Sequence, residues 1–173
     1  MSRFIIRPVT PPDLPAIAAL AREVWQSTYL GIITQAQIDF MLEQRYGYPQ
    51  LLADLEAPDK WLNQAFDKKC RAGFAACEIR KGEYKLDKLY IHPKSQRRGA
   101  GGALIDHAAA HAQKLGYHHM ILAVNKQNEP AISAYRKYGF TVREAIMSDI
   151  GGGFVMDDYI MERPLAWDEP GCD

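Results

Sequence analysis

The sequence predicts an α/β fold of the α+β type, a mixed and mostly antiparallel sheet of about seven strands carrying roughly four to five helices. Three observations predict it. Tyr84 to Ile91 alternates polar and apolar residues and stops at His92-Pro93; a basic, glycine-dense turn, a helical repeat (Leu104, Ala108, Ala112, Leu115) and a short apolar run, His119 to Val124, follow. Such a strand, helix, strand unit makes two parallel strands with a right-handed crossover. Before it, Lys60 to Phe66, Arg71 to Ile79 and Tyr84 to Ile91 read as three consecutive antiparallel strands, joined by the polar turns Asp67-Lys68-Lys69 and Arg80-Lys81-Gly82-Glu83. After it, Phe140 to Ser148 and Phe154 to Glu162 flank Gly151-Gly152-Gly153 as a hairpin.

In chain order, Phe4 to Arg7 is a first strand closed by Pro8, and Thr10-Pro11-Pro12-Asp13 starts a helix whose stripe is Ile17, Leu20, Ala21, Val24 and Trp25. Gly31 separates it from a second helix that begins with the capping-box pattern Thr34-Gln35-Ala36-Gln37, buries Ile38, Met41 and Leu42, and fails before Gly47. A short third helix around Leu51 to Leu55 ends at Pro58. Asn63 and Gln64 are poor strand formers, which predicts an edge position or a shorter strand for Lys60 to Phe66. Gly116 caps the helix after the glycine turn, and Asn128 caps a last helix on which Ile132, Tyr135 and Tyr138 share a face before Gly139.

At 173 residues and 47% hydrophobic, the chain suits one domain over residues 1–166 with a tail over 167–173. Lysine plus arginine equals aspartate plus glutamate, 21 of each, so no global field favours nucleic acid or a membrane surface. Cys70, Cys77 and Cys172 are too few and too scattered for a disulfide framework, and the N-terminal MSRFIIRP is too short an apolar run for a signal peptide, so a cytoplasmic protein is expected.

The turn Gln96-Arg97-Arg98-Gly99-Ala100-Gly101-Gly102 is the most informative stretch. A helix N-terminus leaves N–H groups unpaired and carries the positive end of the macrodipole, so an anion is its natural partner. Glycines bare those amides, and arginines add forked donors suited to phosphate. A plain tight turn with solvated arginines explains the same residues. The stretch is neither a P-loop nor a dinucleotide turn: there is no Gly-Lys-Ser/Thr, Leu104 stands where the third glycine would be, and Pro93-Lys94-Ser95 intervene after the strand.

It does match Gln/Arg-x-x-Gly-x-Gly/Ala, the pyrophosphate signature of the GNAT N-acetyltransferases, and LDKLYIHPKSQRRGAGGAL is similar throughout to that family's strand, loop and helix. A second stretch, NEPAISAYRKYGF (128–140), resembles the family's Asn-x-x-Ala-x-x-x-Tyr-x-x-x-Gly-Phe segment. The resemblance implies the GNAT fold, with splayed parallel strands holding acetyl-CoA as cosubstrate. It places Gln96, Arg97, Arg98, Gly99, Ala100, Gly101 and Gly102 on the pyrophosphate, the backbone of Leu89, Tyr90 and Ile91 along the pantetheine arm, Asn128 on the cofactor's amide groups and Tyr135 near the thioester sulfur. Tyr135 would protonate the departing thiolate; as a residue it also reads as a packed aromatic, and Asn128 also reads as a helix cap. Lys85 stands where histone-type members carry a glutamate, so Asp87, of the same strand parity, is the first substitute for the general base and Glu78 the second.

Trp25, Tyr29, Phe40, Tyr46 and Tyr48 are expected either in the core or on the acceptor wall. Trp25-Gln-Ser-Thr-Tyr29 and Thr34-x-x-Gln37-Ile-x-x-Met41-Leu42 are similar to bacterial polyamine acetyltransferases, which implies a small-molecule amine as the leading acceptor class, leaves a protein α-amine or an amino-acid-like metabolite open, and allows a homodimer. His107 and His111, one turn apart, lack a third ligand, so no metal is expected. The expected activity is direct N-acetyl transfer in a ternary complex; the alternative is a CoA-binding regulatory or interaction module without turnover.

Overall fold

The computed structural model describes residues 3–166. Seven strands run β1 Ile5–Pro8, β2 Lys60–Asp67, β3 Cys70–Arg80, β4 Glu83–Ile91, β5 His119–Asn125, β6 Thr141–Gly151 and β7 Phe154–Pro164. Five helices run α1 Leu14–Tyr29, α2 Gln35–Tyr46, α3 Tyr48–Glu56, α4 Ala100–Lys114 and α5 Glu129–Lys137. The sheet order is β1-β2-β3-β4-β5-β7-β6, and every pairing is antiparallel except β4 with β5. The mixed sheet and five helices are those expected. The expected tail, 167–173, lies outside the described residues.

Two cores hold the layers together. On one face Leu104, Ile105, Ala108 and Ala112 of α4 and Ile132 of α5 pack on Tyr84, Leu86, Met120 and Leu122. On the other, Leu14, Ile17, Leu20, Ala21, Val24 and Trp25 of α1 join Ile38, Met41 and Leu42 of α2 and Leu51 of α3 against Leu62, Phe74 and Ala76. Each fully buried Leu or Ile side chain contributes about 1.5–3 kcal/mol, so the helices are fixed chiefly by these stripes. Leu115, expected on the α4 stripe, is instead 44% exposed, because the helix turns it past the edge of the core.

β2 is not an edge. β3 pairs with it from Lys60 to Asp67, and β1 covers its other side from Asn63 to Phe66. Gln64 is tolerated there because its amide is satisfied: Nε2 donates to the Pro8 carbonyl at 3.3 Å and to Asp13 Oδ2 at 2.7 Å, and Oε1 accepts from Arg71 Nε at 2.9 Å. A buried polar group so bonded carries little penalty. Asp13 also accepts from the Thr10 N–H (2.9 Å) and hydroxyl (2.8 Å), which fixes the turn that starts α1. The capping box of α2 forms by half: Thr34 Oγ1 accepts from the Gln37 N–H at 3.1 Å, but the Gln37 side chain reaches away to the Val155 carbonyl at 2.9 Å. That bond ties α2 to the β6–β7 hairpin, whose tip also packs Phe154 on Phe40 (5.2 Å between ring centres).

Candidate active site

β4 and β5 touch only at their starts, where Tyr84 pairs with Met120 and Lys85 with Ile121. Beyond that point β4 stays on β3 as far as Ile91 and β5 stays on β7 as far as Asn125. The β5-facing backbone of β4 from Leu86 to Ile91 therefore has no strand partner, although backbone N–H and C=O groups require one. An irregularity between Ala76 and Cys77, opposite Lys88 and Leu86, leaves Asp87 as the extra residue and turns the strand outward. Leu89, Tyr90 and Ile91 line this opening.

The glycine turn stands at its mouth. Gln96 Nε2 donates to the Ile91 carbonyl at 3.2 Å, pinning the loop to the strand end. Arg97 (φ 60°) and Gly99 (φ 95°) are left-handed, and Gly99 is the N-cap of α4. The first bond of the helical ladder runs from the Ala103 N–H to the Gly99 carbonyl at 3.0 Å, so the N–H groups of Ala100, Gly101 and Gly102 precede that ladder. Gln96, Arg97, Arg98 and Gly99 are exposed around them. The three glycines have different reasons. Gly99 is required by its dihedral; a Cβ on Gly102 would lie 2.9 Å from the Tyr138 ring and hydroxyl; a Cβ on Gly101 would meet nothing closer than Ile91 at 3.7 Å. Only Gly101 is left without a reason inside the protein, and its bareness suits a ligand lying on the amide.

Across the opening, the Asn128 side chain caps α5, accepting from the Ala131 N–H at 3.4 Å. The Tyr29 hydroxyl, at the end of α1, lies against that Asn128 side chain. Tyr135 packs its ring 5.8 Å from Phe140. Burial pushes the Tyr135 hydroxyl well above the ordinary tyrosine value, with the nearby Tyr29 adding to the rise, so it is protonated at neutral pH and able to donate. Both readings of Asn128 and Tyr135, cap or packed ring and site group, are compatible with these positions.

The acceptor-side face divides the expected aromatics. Trp25 and Tyr46 are core residues, with Trp25 4.4 Å from the Tyr29 ring centre. Tyr46 and Tyr90 share a hydroxyl–hydroxyl bond of 2.7 Å. Phe40 packs on the hairpin tip, and Tyr48 is exposed at the start of α3, away from the others. A cavity of about 400 Å³ opens beside them, its walls including Arg45, Asp54, Lys60, Glu78, Asp87 and Lys88. Its charges are paired: Lys60 with Asp54 (2.9 Å), Lys88 with Asp54 (3.5 Å), and Lys85 and Lys88 with Asp87 (3.3 and 3.7 Å). Burial pushes the Asp87 carboxyl up, but Lys88, Lys85 and Arg45 outweigh it and hold it below the usual carboxylate range. An ion-paired carboxylate of that kind is a weak proton acceptor. Glu78 sits farther from the opening, within 4 Å of Lys60 and Lys85.

Two residues that sequence reasoning did not place in the site converge here, Arg45 and Asp158 of β7, and Tyr29, expected in the core or on the acceptor wall, joins them as a polar contact. The signal for Asp158 was available, since Asp157-Asp158 interrupts the apolar run Phe154 to Met161. The histidine pair is accounted for in part by packing: His111 Nδ1 lies 2.8 Å from the Tyr84 hydroxyl and its ring 4.6 Å from Trp61. Cys77 is buried on the α4 side, where burial pushes its thiol up to about 11. Among the described residues no helix is long and apolar enough to cross a membrane.

The sequence matches the Acetyltransferase (GNAT) family over residues 19–140. A spermidine N(1)-acetyltransferase of Thermoplasma acidophilum is 29% identical over 156 residues, 88% of this chain and 94% of that protein. The ribosomal protein bS18-alanine N-acetyltransferase of Escherichia coli is 33% identical over 98 residues, 55% of this chain and 65% of that one. Among solved structures, the PaiA N-acetyltransferase of Thermoplasma acidophilum in complex with coenzyme A superimposes with a TM-score of 0.80 at 29% identity, over 95% of this chain and 99% of that one.

Proposed function

The chain belongs to the acetyltransferase (GNAT) family, and from that premise we propose that it moves the acetyl group of acetyl-CoA directly to a primary amine of a small molecule, with a polyamine as the acceptor class. The observation that carries the reading is the parting of β4 from β5 beside the head of α4, where the amides of Ala100, Gly101 and Gly102 precede the helical ladder. The free edge at Leu89, Tyr90 and Ile91 suits the amides of a pantetheine arm, and the head of α4, with Gln96, Arg97 and Arg98, suits the pyrophosphate. The arm would then deliver the thioester between Asn128 and Tyr135, with the Tyr135 hydroxyl available to protonate the thiolate. Asp87 stays charged between its two lysines and fixes the irregular part of β4 rather than cycling a proton.

Two observations support a cationic acceptor. One is the likeness to the spermidine acetyltransferase over nearly the whole chain. The other is the β6–β7 hairpin beside the opening, which carries five acidic residues (Glu144, Asp149, Asp157, Asp158 and Glu162) against two basic ones, Arg143 and Arg163. The test is thiol release from acetyl-CoA with a panel of spermidine, spermine, an amino acid and a peptide α-amine. Turnover fastest on the polyamines is expected. Tight CoA binding without turnover on any amine would refute acetyl transfer and leave a CoA-binding module.

A further inference from the structure

The strand register brings one carboxylate to the lip of the opening. Asp158 of β7 pairs across from Asn125 of β5, at the end of β5 that has left β4. Strand alternation puts it on the sheet face of Lys85, Ile121 and Ile160, the face covered by α1 and α2. Its Oδ1 is buried and accepts no hydrogen bond among the described residues, an unusual condition for a carboxylate oxygen. The polar groups facing it come from each element packed there: Tyr29 of α1, Arg45 of α2, Lys85 of β4, Lys126 after β5, and Asp157 beside it. Burial is the largest influence and pushes its carboxyl above the ordinary range; Arg45, Lys85 and Lys126 pull it back, and Asp157 adds to the rise.

Tyr29 links this carboxylate to the candidate acid. Its hydroxyl is within electrostatic reach of both Asp158 and Tyr135 and lies against the Asn128 side chain. An unbonded carboxylate oxygen and a phenol that keeps its proton therefore share Tyr29 as a neighbour. Asp87 has both oxygens facing lysines, and Glu78, whose Oε1 is likewise buried without a hydrogen bond, lies among Lys60, Arg80 and Lys85.

Resting on the acetyl-transfer reading, we propose that Asp158 is the proton acceptor that brings the incoming amine to its nucleophilic form. Oδ1 takes one proton from the ammonium group. The freed nitrogen lone pair forms the C–N bond at the thioester carbonyl carbon, the C–S bond breaks with its electron pair on sulfur, and the Tyr135 hydroxyl gives its proton to the thiolate. The second proton lost by the nitrogen replaces the one Tyr135 gave, and the proton on Asp158 passes to solvent. One ammonium and one thioester thus become one amide, one thiol and one released proton.

The test compares wild type with Asp158→Asn and Asp158→Glu, using acetyl-CoA and the fastest amine of the panel across the pH range. For Asp158→Asn, kcat is expected to fall about 10²–10⁴-fold and the acid limb of kcat/KM to disappear. CoA affinity should be retained, the melting temperature should equal or exceed that of wild type, and Asp158→Glu should recover part of the rate. A wild-type rate with the acid limb intact overturns the proposal. So does a loss confined to KM, which would make Asp158 a binding group, or a variant that melts well below wild type, which would make it structural. A wild-type chain that binds CoA but releases no thiol with any amine of the panel would instead overturn acetyl transfer itself, before any variant is compared.

Discussion

Gly73→Ala tests whether the close approach of β3 to β4 sets the geometry of the opening. Gly73 pairs with Ile91 at the end of β4 where the backbone is free on its other side. A Cβ there would fall 2.5 Å from the Tyr90 carbonyl oxygen, 2.7 Å from Ile91 Cδ1 and 3.2 Å from the Ile91 Cα. Ordinary contact begins at 3.4 Å, so the Tyr90–Ile91 backbone would have to retreat by about 0.9 Å. Side-chain rotation cannot relieve a clash with backbone. Overpacking of this kind costs about 1–3 kcal/mol. For a chain of this length that corresponds to a fall of roughly 2–12 °C in melting temperature. The retreat also moves the segment proposed to hold the pantetheine arm, and a displacement near 1 Å can cost up to about 10²-fold in rate. Thermal unfolding followed by circular dichroism and kcat/KM for acetyl-CoA measure the two effects. A variant that matched wild type in both would show that β4 is not positioned by this contact, and the reasoning would fail.

Tyr135→Phe is expected to lower kcat about 10²–10⁴-fold while leaving CoA affinity nearly unchanged, because the ring keeps its packing and only the proton donor is lost; equal rates would remove Tyr135 from the mechanism. Gly102→Ala should leave stability close to wild type. Its Cβ meets the far end of a movable Tyr138 side chain, and alanine gains about 1 kcal/mol of helix propensity over glycine. Gly101→Ala, whose Cβ would meet nothing closer than Ile91 at 3.7 Å, should raise KM for acetyl-CoA, and an unchanged KM would count against the pyrophosphate placement. For Asp13, burial pushes the carboxyl up, but hydrogen bonds from Thr10 and Gln64 and the charge of Arg71 outweigh it and hold it below the ordinary value. A depressed carboxyl stabilises the fold above its unfolded pKa, near about 3.9, and loses that stabilisation as pH falls through the folded value. Asp13→Asn should therefore melt below wild type at neutral pH, with the gap closing in acid; a gap independent of pH would refute the charge assignment.

What could be read from the chain alone is what near neighbours settle. The period-two run of Tyr84 to Ile91, the stop at His92-Pro93, the glycine turn ahead of α4 and the cap at Asn128 are local preferences of backbone and side chain, and the elements lie where those preferences point. Asn63 and Gln64 were misleading because strand propensity stands in for packing. Nothing near Gln64 reveals that Asp13, 51 residues earlier, takes its amide and keeps β2 inside the sheet.

The glycine turn of the candidate site was legible in the sequence and the opposite face was not, for the same reason. The turn is one contiguous stretch whose geometry is backbone geometry. The acceptor face is assembled from Tyr29, Arg45, Asp87 and Asp158, which sit on α1, α2, β4 and β7 and meet only through the sheet register and the Gln37–Val155 bond across 118 residues. Sequence fixed neither which carboxylate is neutralised nor which is left unpaired: Asp87 and Asp158 are the same residue type on neighbouring parts of one sheet. Burial depth and the distance to the nearest lysine separate them, and those quantities exist only once the strands are side by side.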